Sequence, residues 1–170
     1  MSEAGTIREV SMRMLARRAL SPAEVRERLL RKGFSTQEVA GELTRLRRLG
    51  IVEERELARA VVREQLRTGH GPRAAAAALR RRRIRGEPLD KAVAEIGPEI
   101  EAEAIARAVA KATRRHPHWP QLPEERRKVI RYLLARGFSA EQVSVAVRAT
   151  GRDDIGPPEN DDAGDSPDVP

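Results

Sequence analysis

The sequence predicts an all-α protein: an elongated row of three helix-turn-helix-like three-helix repeats, followed by a disordered acidic C-terminal tail. Three observations point there. Charged residues make up 35% of the 170 and aromatic residues only 2%; with Ala, Arg, Leu and Glu abundant and β-branched residues sparse, helices are favoured over sheets. Apolar residues recur at helical spacing between recognisable capping signals. Finally, Leu29-Leu30-Arg31-Lys32-Gly33-Phe34-Ser35 is answered by Leu133-Leu134-Ala135-Arg136-Gly137-Phe138-Ser139, and Val39 by Val143, all at one offset. Self-similarity at a fixed offset is the signature of a repeat architecture.

Each element follows from its own residues. Residues 1–20 form an N-terminal segment with an opening helix from Ile7 to Leu20. Repeat 1 spans 21–68. Its first helix starts at Ser21, with Pro22 at the first helical position and Glu24 closing a capping box; Val25, Leu29 and Leu30 make the apolar face. Gly33 stops that helix, Phe34 packs back, and Ser35 with Glu38 caps the next, whose face is Val39, Leu43, Leu46 and Leu49. A closing helix is predicted from about Glu53 to Arg67 with Leu57, Val61 and Leu66 buried. Repeat 2 spans 69–115 and is a weaker copy: Leu79, Ile84, Leu89 and Val93 replace Leu29, Phe34, Val39 and Leu43 at a constant offset of fifty. The Pro-rich stretch 116–123 reads as a linker, because Pro117, Pro120 and Pro123 forbid a continuous helix. Repeat 3 spans 124–150. Beyond it, residues 151–170 combine prolines with an acidic run and read as disordered.

Charge narrows the function class. The net charge is +7, yet beyond Gly151 one basic residue faces seven acidic ones, a tail of −6; 32 basic against 19 acidic residues leave the first 151 at +13. A field of that sign draws polyanions, so nucleic acid or an acidic protein surface is the indicated partner class. The other reading is an ordinary solvated surface of local pairs such as Glu24 with Arg28, Glu27 with Arg31, and Glu42 with Arg45. With no cysteine there is neither a disulfide framework nor a thiolate nucleophile, which fits a reducing compartment such as the cytoplasm. The longest apolar stretch, Ala74 to Leu79, is far too short for a membrane span.

Residues for catalysis are hard to find. Gly69-His70-Gly71-Pro72 lacks the Gly-Lys-Ser/Thr ending of a phosphate-gripping loop and is better read as an N-cap at Gly71 followed by Pro72. His116 and His118 flank a proline without the carboxylate or thiol ligands that a metal needs. Ser21, Ser35 and Ser139 are accounted for by capping, and Glu53, Glu54 and Glu56 by the dipole of a helix N-terminus. No cofactor is expected, and the chain is expected not to be an enzyme. The remaining signal is the run Arg80, Arg81, Arg82, Arg83 and Arg85, backed by Arg67, His70 and Arg73. It is either a solvated helix end or a surface whose guanidinium forks face phosphate or carboxylate. The middle copy of the repeated turn has exchanged its glycine for part of this cluster. Stacking aromatics are missing, so sequence-specific readout is not indicated.

These residues also carry a resemblance. The stretches SPAEVRERLLRKGF at 21–34, LRRLGI at 46–51, ERELA at 54–58, Gly69-His70-Gly71-Pro72 and YLLARGF at 132–138, in this order and spacing, resemble the RecX regulatory proteins, over about Met14 to Ala149. The resemblance implies a monomeric, elongated row of three-helix repeats that binds the RecA recombinase filament and contacts single- and double-stranded DNA without sequence specificity. It further implies inhibition of filament extension, ATP hydrolysis and strand exchange, and so modulation of recombinational repair and of the SOS response. The chain departs from the family pattern at Ala74 to Ala78, where a basic, polar helix is usual, and at Arg82-Arg83, where a Lys-Gly turn is usual. A second reading is a helix-turn-helix-type protein that binds DNA directly.

Overall fold

The computed structural model describes residues 5–152, and among them it contains nine α-helices and no strand. They are α1 (Ile7–Arg17), α2 (Pro22–Arg31), α3 (Thr36–Arg48), α4 (Glu54–Arg67), α5 (Pro72–Arg81), α6 (Glu87–Ala94), α7 (Pro98–Arg115), α8 (Pro123–Ala135) and α9 (Ala140–Arg152). The expected tail lies, beyond the last residues of α9, outside the described residues.

Helix starts follow the capping chemistry. Ser21 and Ser35 form reciprocal capping boxes with Glu24 and Glu38, and Thr6 forms another with Glu9 ahead of α1. Ser139 exchanges the same pair of bonds with Gln142 before α9. Gly71 is the N-cap of α5 and Pro72 its first residue. Two orphan N–H groups are satisfied by each such box.

The repeated turn is present three times with the same backbone bonds. The N–H of Phe34 bonds the carbonyl of Leu29, that of Ile84 bonds Leu79, and that of Phe138 bonds Leu133, at 3.3, 3.0 and 3.4 Å. The residue between cap and apolar anchor has positive φ in every copy: Gly33 at 92°, Arg83 at 60° and Gly137 at 87°. This is the helix-terminating αL position that glycine favours. Arg83 holds it with a side chain, and is the only non-glycine residue with positive φ among the described residues.

The helices group differently from the predicted repeat boundaries. Val10, Leu20, Val25, Leu29, Val39, Leu43, Leu46 and Val52 form one core, from α1, α2, α3 and the connections before α2 and after α3. Leu57, Ala58, Val62 and Leu66 of α4 belong instead to a second core with Leu79, Ile84 and Leu89, and α4 packs on α5 and α6. The helix expected to close repeat 1 therefore opens repeat 2. Likewise α7 packs on α8 and α9, so each unit is an opening helix followed by the helix pair: α1–α3, α4–α6 and α7–α9. The apolar periodicity of α4 was legible, but a period does not say which neighbour the face meets.

The stretch 116–123 is likewise not a spacer between units. It joins α7 to α8 inside the third unit, and Trp119 within it is fully buried, its indole N–H donating to Thr113 Oγ1 at 2.9 Å. The cores contain few large side chains, and close helix approach compensates. Ala75, Ala76 and Ala78 of α5 and Ala104, Ala108 and Ala112 of α7 are buried. The alanine run at 74–78 is thus a packing face that lets helices come together.

Candidate functional site

The two junctions between units decide which of the predicted site residues are available. At the first, the buried Ser21 hydroxyl accepts the N–H of Glu24 and donates to the carbonyl of Arg82 at 2.7 Å. Arg82 caps α5, and its guanidinium reaches back to the carbonyl of Ala19 and to Glu24, 3.1 Å away. Arg83 pairs with Glu27 at 2.9 Å. Burial opposes ionisation of Glu24, but the Ser21 N–H, Arg18 and Arg82 outweigh it and hold the carboxyl below its ordinary range.

The second junction repeats the first one unit along. The N–H of Gly71, the position that matches Ser21, donates to the carbonyl of Arg136, the cap of α8, at 2.8 Å, and the Arg73 N–H donates to the Gly137 carbonyl at 3.2 Å. The Arg136 guanidinium reaches back to His70 Nε2 at 3.1 Å, as Arg82 reaches back to the first unit, and it also lies over the Tyr132 ring. His70 Nδ1 meets the Thr68 hydroxyl at 3.0 Å. Desolvation, then the charges of Arg136, Lys111 and Arg81, hold the His70 pKa below the ordinary histidine value, so the ring is neutral at pH 7. The backbones touch here: a Cβ on Gly71 would stand 2.6 Å from the Gly137 oxygen. The N-terminus of α5 is thereby occupied by protein carbonyls.

The predicted cluster consequently splits. Arg82 and Arg83 are turned onto the first unit. His70 is half-buried in the second junction, and Arg67 is exposed but paired with Glu64 at 2.8 Å. Arg73, Arg80, Arg81 and Arg85 are exposed and have no ion-pair partner among the described residues. A second basic surface lies on the first unit. Glu24 and Glu27 turn to the junction instead of pairing along α2 with Arg28 and Arg31; of the three local pairs expected, only Glu42 with Arg45 forms, at 2.7 Å. Arg28 and Arg31 are left free and line a groove with Met14, Arg17 and Lys32. No sequence pattern signals this, because the i,i+4 spacing suggests local neutralisation.

Among the described residues no three His, Asp or Glu side chains gather as a metal site would require. Glu54 and Glu56 lie in the first turn of α4, where Glu56 and Glu95 both grip Arg59. No helix of the described residues is long and apolar enough to cross a membrane.

Comparison with known proteins bears directly on this arrangement. The chain matches the family models for the first and third three-helix domains of RecX, over residues 8–46 and 99–147. A regulatory protein RecX from Halorhodospira halophila is 32% identical over 161 residues, covering 91% of this chain and 96% of that protein. The chain belongs to the RecX family. The RecX of Syntrophotalea carbinolica is 35% identical over 135 residues, 76% of this chain and 86% of its own. In fold, the chain superimposes on the crystal structure of RecX from Lactobacillus salivarius with a TM-score of 0.73 at 17% identity, covering 85% of this chain and 93% of that one. A second RecX crystal structure gives 0.70 at 23% identity, over 84% and 73%. The two matched domains coincide with the first and third units, so the opening helix of each belongs with the pair that follows it.

Proposed function

We propose that this RecX-family chain binds the RecA recombinase–DNA filament as a monomer and inhibits its extension, ATP hydrolysis and strand exchange, acting without a cofactor and without catalysis of its own. Recombinational repair and the SOS response would be modulated through that filament. The observation that carries the reading is the family membership, together with exposed, unpaired guanidinium groups on successive units of one row. Arg73, Arg80, Arg81 and Arg85 are the contacts proposed on the second unit. Free guanidiniums can fork onto phosphate oxygens or acidic side chains, and a filament groove offers both. Arg82 and Arg83 are assigned a different part: they hold the first two units in register.

The test adds substoichiometric protein to recombinase on single-stranded DNA and follows ATP hydrolysis and strand exchange. Both are expected to fall, and the inhibition to weaken as salt rises. Unchanged rates sink the filament reading. The helix-pair units and free arginines also favour direct, non-specific DNA binding as a second reading. A gel shift with naked DNA at the affinity found for the filament would favour it.

A further inference from the structure

Lys32 is the cap residue of α2, as Arg82 caps α5 and Arg136 caps α8. The two later cations each reach back onto the preceding unit, Arg82 to Ala19 and Glu24, and Arg136 to His70. Among the described residues no unit precedes that of Lys32. Its turn is open: a Cβ on Gly33 would meet nothing within 4 Å, whereas one on Gly137 would stand 2.4 Å from the Ala74 nitrogen. Beside it, Arg28 and Arg31 have lost their local glutamates to the junction, since Glu24 holds Arg18 and Arg82 and Glu27 holds Arg83. With Arg17 from α1, these cations line the groove over the half-buried Met14.

We propose that this groove is a binding site for the sugar–phosphate backbone of a single nucleic-acid strand, separate from the arginines of the second unit. Arg28 stands three and four residues before Arg31 and Lys32, so its guanidinium faces both at Cβ separations of about 5–6 Å, and with Arg17 they set a close group of positive charges along the groove, suited to a regularly charged chain. Two of them are arginines, which fork onto phosphate oxygens, and the groove offers no aromatic on which a base could stack. It therefore grips backbone without reading sequence. Charge is available here only because the junction has drawn the neighbouring glutamates away, which makes docking of units one and two a condition for strand binding. The inference deepens the filament reading, from which the strand would come, but it does not need the recombinase to be present.

The decisive experiment measures fluorescence anisotropy of a labelled thymidine oligonucleotide as a function of salt, with no recombinase. The probe variant is the full chain carrying Arg28→Gln, Arg31→Gln and Lys32→Gln. A second variant, Arg55→Gln, Lys91→Gln and Arg107→Gln, removes the same charge from cations already paired with Glu87 and Glu103. Loss of three phosphate contacts lowers the slope of log K against log salt by about 2, with an affinity loss of roughly tenfold or more at low salt. The paired-cation variant is expected to keep the wild-type slope. Equal effects of the two variants, or an unchanged slope in the first, overturn the assignment. So does a groove variant that binds the oligonucleotide normally yet inhibits recombinase poorly, which would put an acidic protein surface in the groove. Circular dichroism confirms that both variants fold. Strand binding lost in the groove variant, with a wild-type chain that leaves recombinase ATPase untouched, supports the groove and removes the filament reading instead.

Discussion

Arg83 sits where the other two copies of the turn place glycine, and it holds a φ of 60°. A side chain in that conformation costs about 1 kcal/mol. In return its guanidinium reaches Glu27 across the junction, with both partners about half exposed, a setting in which an ion pair contributes little. Arg83→Gly is therefore expected to leave stability unchanged or to raise it by up to about 1 kcal/mol; a clear loss in chemical denaturation would show that the pair outweighs the strain. Ser21 is the opposite case. Its hydroxyl both caps α2 and satisfies the Arg82 carbonyl, so Ser21→Ala should cost about 2 kcal/mol by the same measurement, combining a lost cap with an orphaned carbonyl. The sequence shows the cap, because Ser, Pro and Glu stand in a diagnostic order. It does not show the second bond, whose partner is 61 residues away.

At the level of elements, helix identities and stops were readable because caps and glycine turns act over three or four residues. The offset of fifty even located the αL position of Arg83, where no glycine marks it. Assignment of α4 to its unit was not readable, since α4 continues an apolar pattern that either neighbour would satisfy and only the packing chose α5 and α6. The site was partly legible for the same reason. Arginine run 80–85 was visible as composition, but its division into clamp and free surface depends on Glu24 and Glu27 arriving from another unit. Between α4 and α5, His70 marks a junction that responds to pH. Its folded pKa lies below the ordinary value, so the unfolded chain binds the proton more readily. The stabilisation is then full above about pH 6.5 and is lost as pH falls through the folded value. Thermal melts at pH 7.5 and 5.5 should show a drop in the wild type that shrinks in His70→Gln. An equal drop in both would remove His70 as the cause; carboxylates such as Glu42, held low by Arg45 despite burial and helped by Ser11, lose their contribution only below about pH 4.5, outside this window.

Across the whole molecule, three units are organised around two cores: the first has its own, and the second and third share one. The two junctions thus differ in character. The first is a polar clamp at Ser21, Glu24, Arg82 and Arg83, while the second adds Phe138 and backbone contact at Gly71 and Gly137. Gly71→Ala places a methyl 2.6 Å from the Gly137 oxygen, and overpacking of this kind costs about 1–3 kcal/mol. The expected outcome is a third unit displaced from the second, read as a change in the small-angle scattering profile with helix content retained; an unaltered profile with wild-type stability would show that the backbone yields locally.

Where α2 has Ser21 and α5 has Gly71 as N-cap, α8 has Leu122. Its N–H is already bonded to His118 at 3.0 Å, and its side chain has nothing to donate. A hydroxyl at the start of α2 and a backbone N–H at the cap of α5 couple their units to the next one; at the start of α8 the only N–H groups without a backbone partner are those of Glu124 and Glu125, inside the helix.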